Sequence, residues 1–575
     1  MIERSLGQRA PVLWLLVPTM VGFALARALP AGWGGGWWFA AAAIGLGWAC
    51  RGVCGPERPG RAVWAPGVVL AVGAAAVACF QLRENRLAVW ARLPAREAEL
   101  VLEIERVFPS AAGRVTTTGL ARITAAPAVV AETVGQRVYF SVRAPAEAEW
   151  VRSAQVRVLG VLAPLPRDAA TGFDGYLVSA GAAFKFNRAR WLAQERGAHP
   201  YRRFCAAAAR RLECILGLGL EDRPAWRSIH VAMLLGRKAE LGGGQRELFM
   251  NSGTMHLFAI SGLHIAVIWA VLAGLLGALR VPRPAVALAG LPALWLYVEI
   301  TGGAPSARRA WLMIAFVIAA KALRWARNPL AGIAASALVV LWWAPWQLFG
   351  LGFQMSYAVV AALLLYGLPL EERLQRRWRP WADLPQSEWG WGRRAARWLG
   401  AQVISGFALA VAATLVSVPM TLANFGLLTP ASLVVNLACI PAASLAIVAG
   451  IVSILAGLLG MGPVSVFLNH ASAVLIAGME RGLTWAMRVP GAYWPAEYRA
   501  EWLGPAILVV LLTLLVAGYA LRWRRRFGGA WMPVAVVVLA LAVLARHGGA
   551  EAPPAAASAP ANLPAAGATA IAPGP

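Results

Sequence analysis

Apolar residues in this chain come in blocks, many of them about 17–25 residues long, the length a helix needs to cross a hydrocarbon core of ~30 Å. A soluble domain could not bury so many. Composition agrees: 59% of the 575 residues are hydrophobic and only 14% are charged, against about 45–50% and about 25% in globular domains. The pattern predicts a mainly α-helical polytopic membrane protein. Thirteen spans can be drawn, at about 11–29, 37–50, 63–82, 255–279, 285–300, 305–322, 329–345, 348–370, 400–423, 430–460, 465–487, 503–521 and 531–546. Pro441 leaves the 430–460 stretch open to being one tilted helix or a broken pair. The first span reads as a retained anchor, not a cleaved leader.

Between the third and fourth spans the periodicity changes. Leu100 to Arg106, Arg137 to Arg143 and Gln155 to Gly160 alternate apolar and polar residues, with β-branched residues and punctuation by Gly and Pro. That pattern marks half-buried strands, and several within about 100 residues predict a small extramembrane barrel or sandwich, an OB-like barrel being one candidate. Residues 200–250 read as amphipathic helices lying on or near the bilayer surface. The organisation expected is N-terminal spans over 1–89, a β domain over 90–190, interfacial helices over 191–254, a transmembrane helical domain over 255–546, and a disordered Ala/Pro-rich tail over 547–575.

Arginines set the orientation. With the N-terminus inside, the inner loops hold Arg51, Arg58, Arg61, Arg280, Arg283, Lys321, Arg324, Arg327, the cluster from Arg373 to Arg397, and Arg522 to Arg526. The short outer loops at 30–36, 301–304, 345–347 and 424–429 hold no Lys or Arg. This asymmetry puts the N-terminus in the cytoplasm and the β domain and C-terminal tail outside. Topology accounts for most of the formal net charge of +26, so the charge permits a polyanionic substrate without requiring one. Six cysteines make no disulfide framework; Cys205 and Cys214 are either bridged or two free thiols. No phosphate-binding loop and no clustered metal-ligand set is present in the sequence, so no cofactor or metal is expected.

Polar residues inside apolar spans are costly and mark cavities or helix contacts. Ser261, Gly262 and His264 lie in one such stretch, with Ser261 and His264 three apart on one helix face; Ser261 and Gly262 also suit close helix packing. After Gly302-Gly303, Pro305 starts a new helix with Arg308 and Arg309 one turn in. A helix N-terminus with two arginines suits phosphate oxygens, or equally a tight turn with the arginines snorkelling to outer headgroups. Gln354 and Asn436 add polar positions in later spans. In the β domain Arg137, Tyr139, Phe140 and Arg143 combine charge with aromatic faces, as single-strand binding requires, although Tyr139 or Phe140 must face the barrel core.

These motifs occur in an order that resembles the ComEC family, the inner-membrane DNA channels of natural transformation. The run Thr254-Met-His-Leu-Phe-Ala-Ile-Ser-Gly-Leu-His-Ile265 carries the strongest likeness, supported by Thr171 to Leu177, Thr301 to Arg309, Asn328-Pro-Leu330, Gly352 to Ser356, and Asn424 to Leu433 leading into Asn436. The resemblance implies an OB-like periplasmic domain, a helical pore, and passage of single-stranded DNA into the cytoplasm. It also implies an outer DNA receptor, periplasmic or membrane-anchored, and a cytoplasmic ATPase or ssDNA-binding proteins as the driving partners. Many members continue into a metallo-β-lactamase-like domain, whose ligand set is absent from this sequence; a separate nuclease would then serve, or strand removal would be uncoupled from transport. Two other readings compete: a non-DNA transporter or lipid-handling protein on the same fold, and an intramembrane serine hydrolase with Ser261 as nucleophile and His470 as base.

Overall fold

The computed structural model describes residues 11–29, 35–54, 64–90, 94–108, 116–143, 149–166, 172–237, 241–258, 260–323, 328–521 and 529–547. Nearly all of the expected tail, and the inner-loop arginines at 58, 61, 324, 327 and 522–526, lie outside them.

Three helices come first: α1 (Leu13–Ala28), α2 (Gly35–Cys54) and α3 (Trp64–Trp90). The backbones of α2 and α3 meet directly. A Cβ added at Gly45 would lie 2.6 Å from the Ala71 nitrogen, and one at Gly67 would lie 2.6 Å from the Ala49 nitrogen. Such close approach is how helices associate where no hydrophobic force separates lipid from side chain.

Five strands follow: β1 (Arg96–Phe108), β2 (Thr116–Ala125), β3 (Arg137–Arg143), β4 (Gln155–Pro164) and β5 (Phe184–Arg196), with a short helix α4 (Gly172–Ser179) before β5. They close into a barrel in the order β1-β2-β3-β5-β4. Every pairing is antiparallel except β3 with β5. Inward positions obey the two-residue period: Leu100, Leu102 and Ile104 from β1, Val138, Phe140 and Val142 from β3, and Val156 and Val158 from β4 are all buried. β5 runs on to Arg196, past the domain edge drawn at 190, because its pairing with β4 continues to Gln155 opposite Arg196.

Helices α5 (Pro200–Gly217), α6 (Pro224–Leu235) and α7 (Gly243–Asn251) occupy the next stretch. The interfacial expectation fails for α6. Its residues Ile229 to Leu235 are all buried, and all but His230 belong to the largest hydrophobic cluster; a run so nearly apolar on every side belongs inside a bundle, not on a surface.

The remaining helices are α8 (Gly262–Ala278), α9 (Arg283–Ile300), α10 (Pro305–Ala322), α11 (Pro329–Trp343), α12 (Leu351–Ala362), α13 (Leu368–Arg377), α14 (Trp391–Phe425), α15 (Ser432–Leu458), α16 (Gly462–Ala486), α17 (Leu503–Ala520) and α18 (Met532–Leu539). A π-turn over Leu363–Gly367 joins α12 to α13. Among the described residues six helices are long and apolar enough to cross a membrane: Trp64–Arg83, Leu351–Arg377, Trp391–Phe425, Ser432–Leu458, Gly462–Ala486 and Leu503–Ala520. Four more are apolar but shorter, and α2, α9 and α10 occupy the other apolar stretches. α15 passes through Pro441 without breaking. A small sheet of β6 (Leu427–Leu428), β7 (Trp494–Tyr498) and β8 (Ala545–His547) ties the end of α14 to the segment before α17 and to the end of the described chain.

Cys205 and Cys214 are both free thiols, one buried and one exposed. Nine residues apart on α5, they stand about 13 Å apart along the axis, well beyond disulfide reach.

Candidate nucleic-acid interface

The barrel sits over one end of the helical bundle and a cavity of about 2890 Å³ lies between them. Its walls come from β1, β2, β3, β5 and α4 on one side, and from α5, the end of α6, α7, the end of α9, the start of α10, the end of α11, the start of α12, the end of α14 and the start of α17 on the other. Among the described residues eleven Lys and Arg line it against four Glu. Aromatic rings interleave with them, among them Phe108, Tyr139, Tyr176, Trp295 and Phe349. Positive charge along a wall studded with π-faces is the combination that holds single-stranded nucleic acid.

Arg308 and Arg309 both reach this cavity, but they diverge. The break before them is built by Gly302 and Gly303, with φ of 88° and 62°, a region open to glycine at no steric cost; Pro305 then takes the first helical position. Arg308 donates to Glu299 Oε1 at 3.1 Å and lies over the Trp295 ring, 6.0 Å from its centroid. Arg309 turns inward, 5% exposed, donating to the Gly352 carbonyl at 2.7 Å, Ser356 Oγ at 2.9 Å and Gln347 Oε1 at 3.4 Å. No carboxylate pairs with it among the described residues. A buried cation held only by neutral dipoles is poorly compensated, so the cavity floor favours an anion. Both side chains point to the cavity or the bundle around it.

Glu299 is the centre of the site, and its role was not assigned from sequence. At 2% side-chain exposure, its carboxylate accepts from Arg308, from Arg152 at 2.9 Å and from Arg202. Arg152 belongs to the turn before β4 and Arg202 to the first turn of α5, so one carboxylate joins barrel, α5, α9 and α10. Burial lowers the pKa of Arg152, and burial together with the neighbouring Arg152 charge lowers that of Arg202. The sequence signal was present, since an acidic residue ending an apolar span demands a partner. The partners, 147 and 97 residues away, carried no local signal.

Of the barrel candidates, Arg137 and Tyr139 line the cavity and Phe140 does not. Arg137 donates to Glu105 Oε2 at 2.5 Å, while Arg122 donates to Glu105 Oε1 at 2.9 Å. Burial raises the Glu105 pKa, but the two guanidiniums outweigh it and hold the carboxyl below its ordinary range. Tyr139 packs edge-on to Phe173 of α4 at 5.2 Å. Phe140 is fully buried in the barrel core, stacked on Trp150 at 5.6 Å, and cannot meet a base. Arg143 is exposed at the end of β3, away from the cavity lining.

Gln354 lines the cavity and donates to the Leu348 carbonyl at 3.0 Å. Asn436 does not line it; its Oδ1 is buried without a partner. Ser261, Gly262 and His264 also lie off the lining. The helix begins at Gly262, not Met255, because Met255–Phe258 forms a separate 3-10 turn. Ser261 therefore caps α8 instead of sharing its face: its Oγ meets His264 Nδ1 at 2.9 Å and its N–H approaches the same nitrogen at 3.4 Å. A Cβ at Gly262 would touch nothing within 4 Å, so this glycine does not serve close packing. His470 hydrogen-bonds to the Val466 carbonyl at 2.9 Å and is not the partner of Ser261.

A family model described as Competence protein matches residues 233–526, just over half of the chain. ComE operon protein 3 of Bacillus subtilis (strain 168) is 38% identical over 117 residues, which cover 20% of this chain and 15% of that protein. The chain thus aligns with only a small part of the length of this curated relative. No solved structure matches. The matched region contains α8 to α17 with the glycine break, Arg308 and Arg309, and the chain belongs to the Competence protein family.

Proposed function

We propose that this protein is the inner-membrane channel that passes single-stranded DNA into the cytoplasm during natural transformation. The observation that carries the reading is the cavity, where among the described residues eleven cationic ones against four acidic ones and a set of aromatic rings lie between barrel and bundle. A polyanion cannot enter hydrocarbon, so its route must supply charge, hydrogen bonds or water throughout.

Helix polarity supports the orientation. The cavity collects the start of α10, α12 and α17 and the end of α9, α11 and α14. The opposite ends carry Lys321, Arg373, Arg376, Arg377, Arg393, Arg394 and Arg397, the charge bias of a cytoplasmic face. The barrel, with its Greek-key closure and one parallel pair, is then periplasmic and OB-like, and thirteen spans put the N-terminus inside and the C-terminal tail outside. DNA reaches the barrel from an outer receptor, descends past Arg137 and Tyr139 to Arg308 and Arg309, and enters between α10, α12 and α14. Below Arg309, α12 and α14 pack through Ala358, Ala362, Ala412 and Val416, a closed state from which they must part. A cytoplasmic ATPase or ssDNA-binding proteins supply the pull.

Replacing Arg308 and Arg309 together with Gln tests this. The double variant should lower import of added DNA, scored as acquisition of a marker, by more than it lowers the amount of protein in the membrane. Equal losses would assign the pair to folding. Unchanged transformation after deletion of the gene in a demonstrably competent host would favour the non-DNA transporter instead.

A further inference from the structure

A carboxylate at the C-terminal end of a helix faces the negative end of the dipole, and Glu299 sits there with its side chain 2% exposed. What holds it is an excess of cations. Arg152, Arg202 and Arg308 all contact its two oxygens, so one negative charge faces three positive ones. Arg308 Nε is in addition buried without a partner. The three arginines come from the barrel, α5 and α10, and no local geometry forces them together. All three line the cavity. Arg202 lies over the Tyr201 ring at 5.1 Å and Arg308 over Trp295 at 6.0 Å, contacts that hold a guanidinium plane in place.

We infer that Arg152, Arg202 and Arg308 form a seat for a phosphodiester group, which Glu299 fills at rest as an internal anion and yields when a strand enters. The inference rests on the channel reading above. Carboxylate and phosphate present similar oxygen pairs to a guanidinium fork, so one can replace the other without changing the geometry of the cations. An empty trio would be repulsive: burial and then the neighbouring Arg152 charge already lower the Arg202 pKa. The resident carboxylate keeps the seat assembled between strands. Its exchange for phosphate also releases the end of α9 from the barrel turn, so arrival of DNA loosens the joint between the two halves of the site.

The test uses the full chain in neutral phosphatidylcholine nanodiscs and a fluorescent fifteen-nucleotide oligothymidylate as probe. Glu299→Gln removes the competing charge and should tighten binding by about tenfold, the ratio that one lost charge-assisted contact represents. Arg152→Gln should weaken binding about tenfold and flatten the logarithmic salt dependence by about 0.7, the single-strand value for one phosphate contact. Inorganic phosphate should compete only at far higher concentration than the oligonucleotide. The inference is overturned if Glu299→Gln binds no tighter at an unchanged unfolding temperature, or if Arg152→Gln leaves affinity and salt slope as they were. It is overturned equally if the Glu299→Gln gain disappears in phosphatidylglycerol nanodiscs, which would make the ligand a lipid headgroup. Should Glu299→Gln not fold, Arg152→Gln decides alone, because Arg152 lies in a turn of the barrel. Failure of the wild-type chain to bind the probe at all would instead defeat the channel reading, and the seat with it.

Discussion

Replacing Gly262 with alanine is predicted to be close to neutral, whereas Ser261→Ala should cost about 1 kcal/mol, the typical worth of a lost side-chain hydrogen bond. The reason is local: a methyl group at 262 meets open space, and Ser261 Oγ holds His264. Thermal unfolding of the two variants in detergent separates them, and a larger loss for Gly262→Ala would restore the packing role. Glu105 offers a pH test. Its carboxyl is held below the ordinary range by Arg137 and Arg122, so its contribution is present above the unfolded value of about 4.3 and is lost as pH falls through the depressed folded value. Glu105→Gln should remove that part of the acid sensitivity of unfolding; an unchanged acid limb would show that the pair contributes nothing. At this scale the sequence was legible where chemistry is local. The glycine break and Pro305 announced the start of α10, and alternation announced that either Tyr139 or Phe140 must point inward. Which one did so depended on register, and the long-range partners of Glu299 depended on the fold.

Elements were more legible than residues, because a block of apolar residues and a strand's alternation repeat their signal many times over. The strands of the barrel and the helices after Gly262 follow those patterns. Two departures have physical causes. α6 looked interfacial beside its arginine-bearing neighbours, yet Val231 to Leu235 are apolar and buried, and the helix packs against α15 with Gly450 making room: a Cβ there would lie 2.9 Å from His230 Nε2. The segment from Met255 to Phe258 is apolar enough for a span but turns as 3-10, and the helix waits for the Ser261 cap. The break between α9 and α10 is the element-scale feature with most at stake. Gly303→Ala should destabilise the protein by about 1 kcal/mol or more, since its φ of 62° strains any Cβ and that Cβ would come within 2.6 Å of the Arg308 guanidinium. Oligonucleotide binding should fall with it, because Arg308 would be displaced; a variant that is less stable yet binds normally would separate the turn from the site.

For the molecule as a whole, barrel and bundle enclose a basic, aromatic cavity, and the buried carboxylate of Glu299 links them. Neither half contains the site alone, which is why reading segments one after another found Arg308 and Arg309 on one side and Arg137 and Tyr139 on the other without joining them. The account claims that the imported strand runs through this cavity. The most direct measurement is to place a photo-crosslinking amino acid at Tyr176, a cavity-lining residue, and separately at Leu288, which is 79% exposed on the flank of α9, and to irradiate cells while they take up labelled DNA. The account predicts crosslinks to DNA from position 176 and none from position 288. Crosslinks absent from position 176 while import proceeds, or equal from both positions, would contradict it.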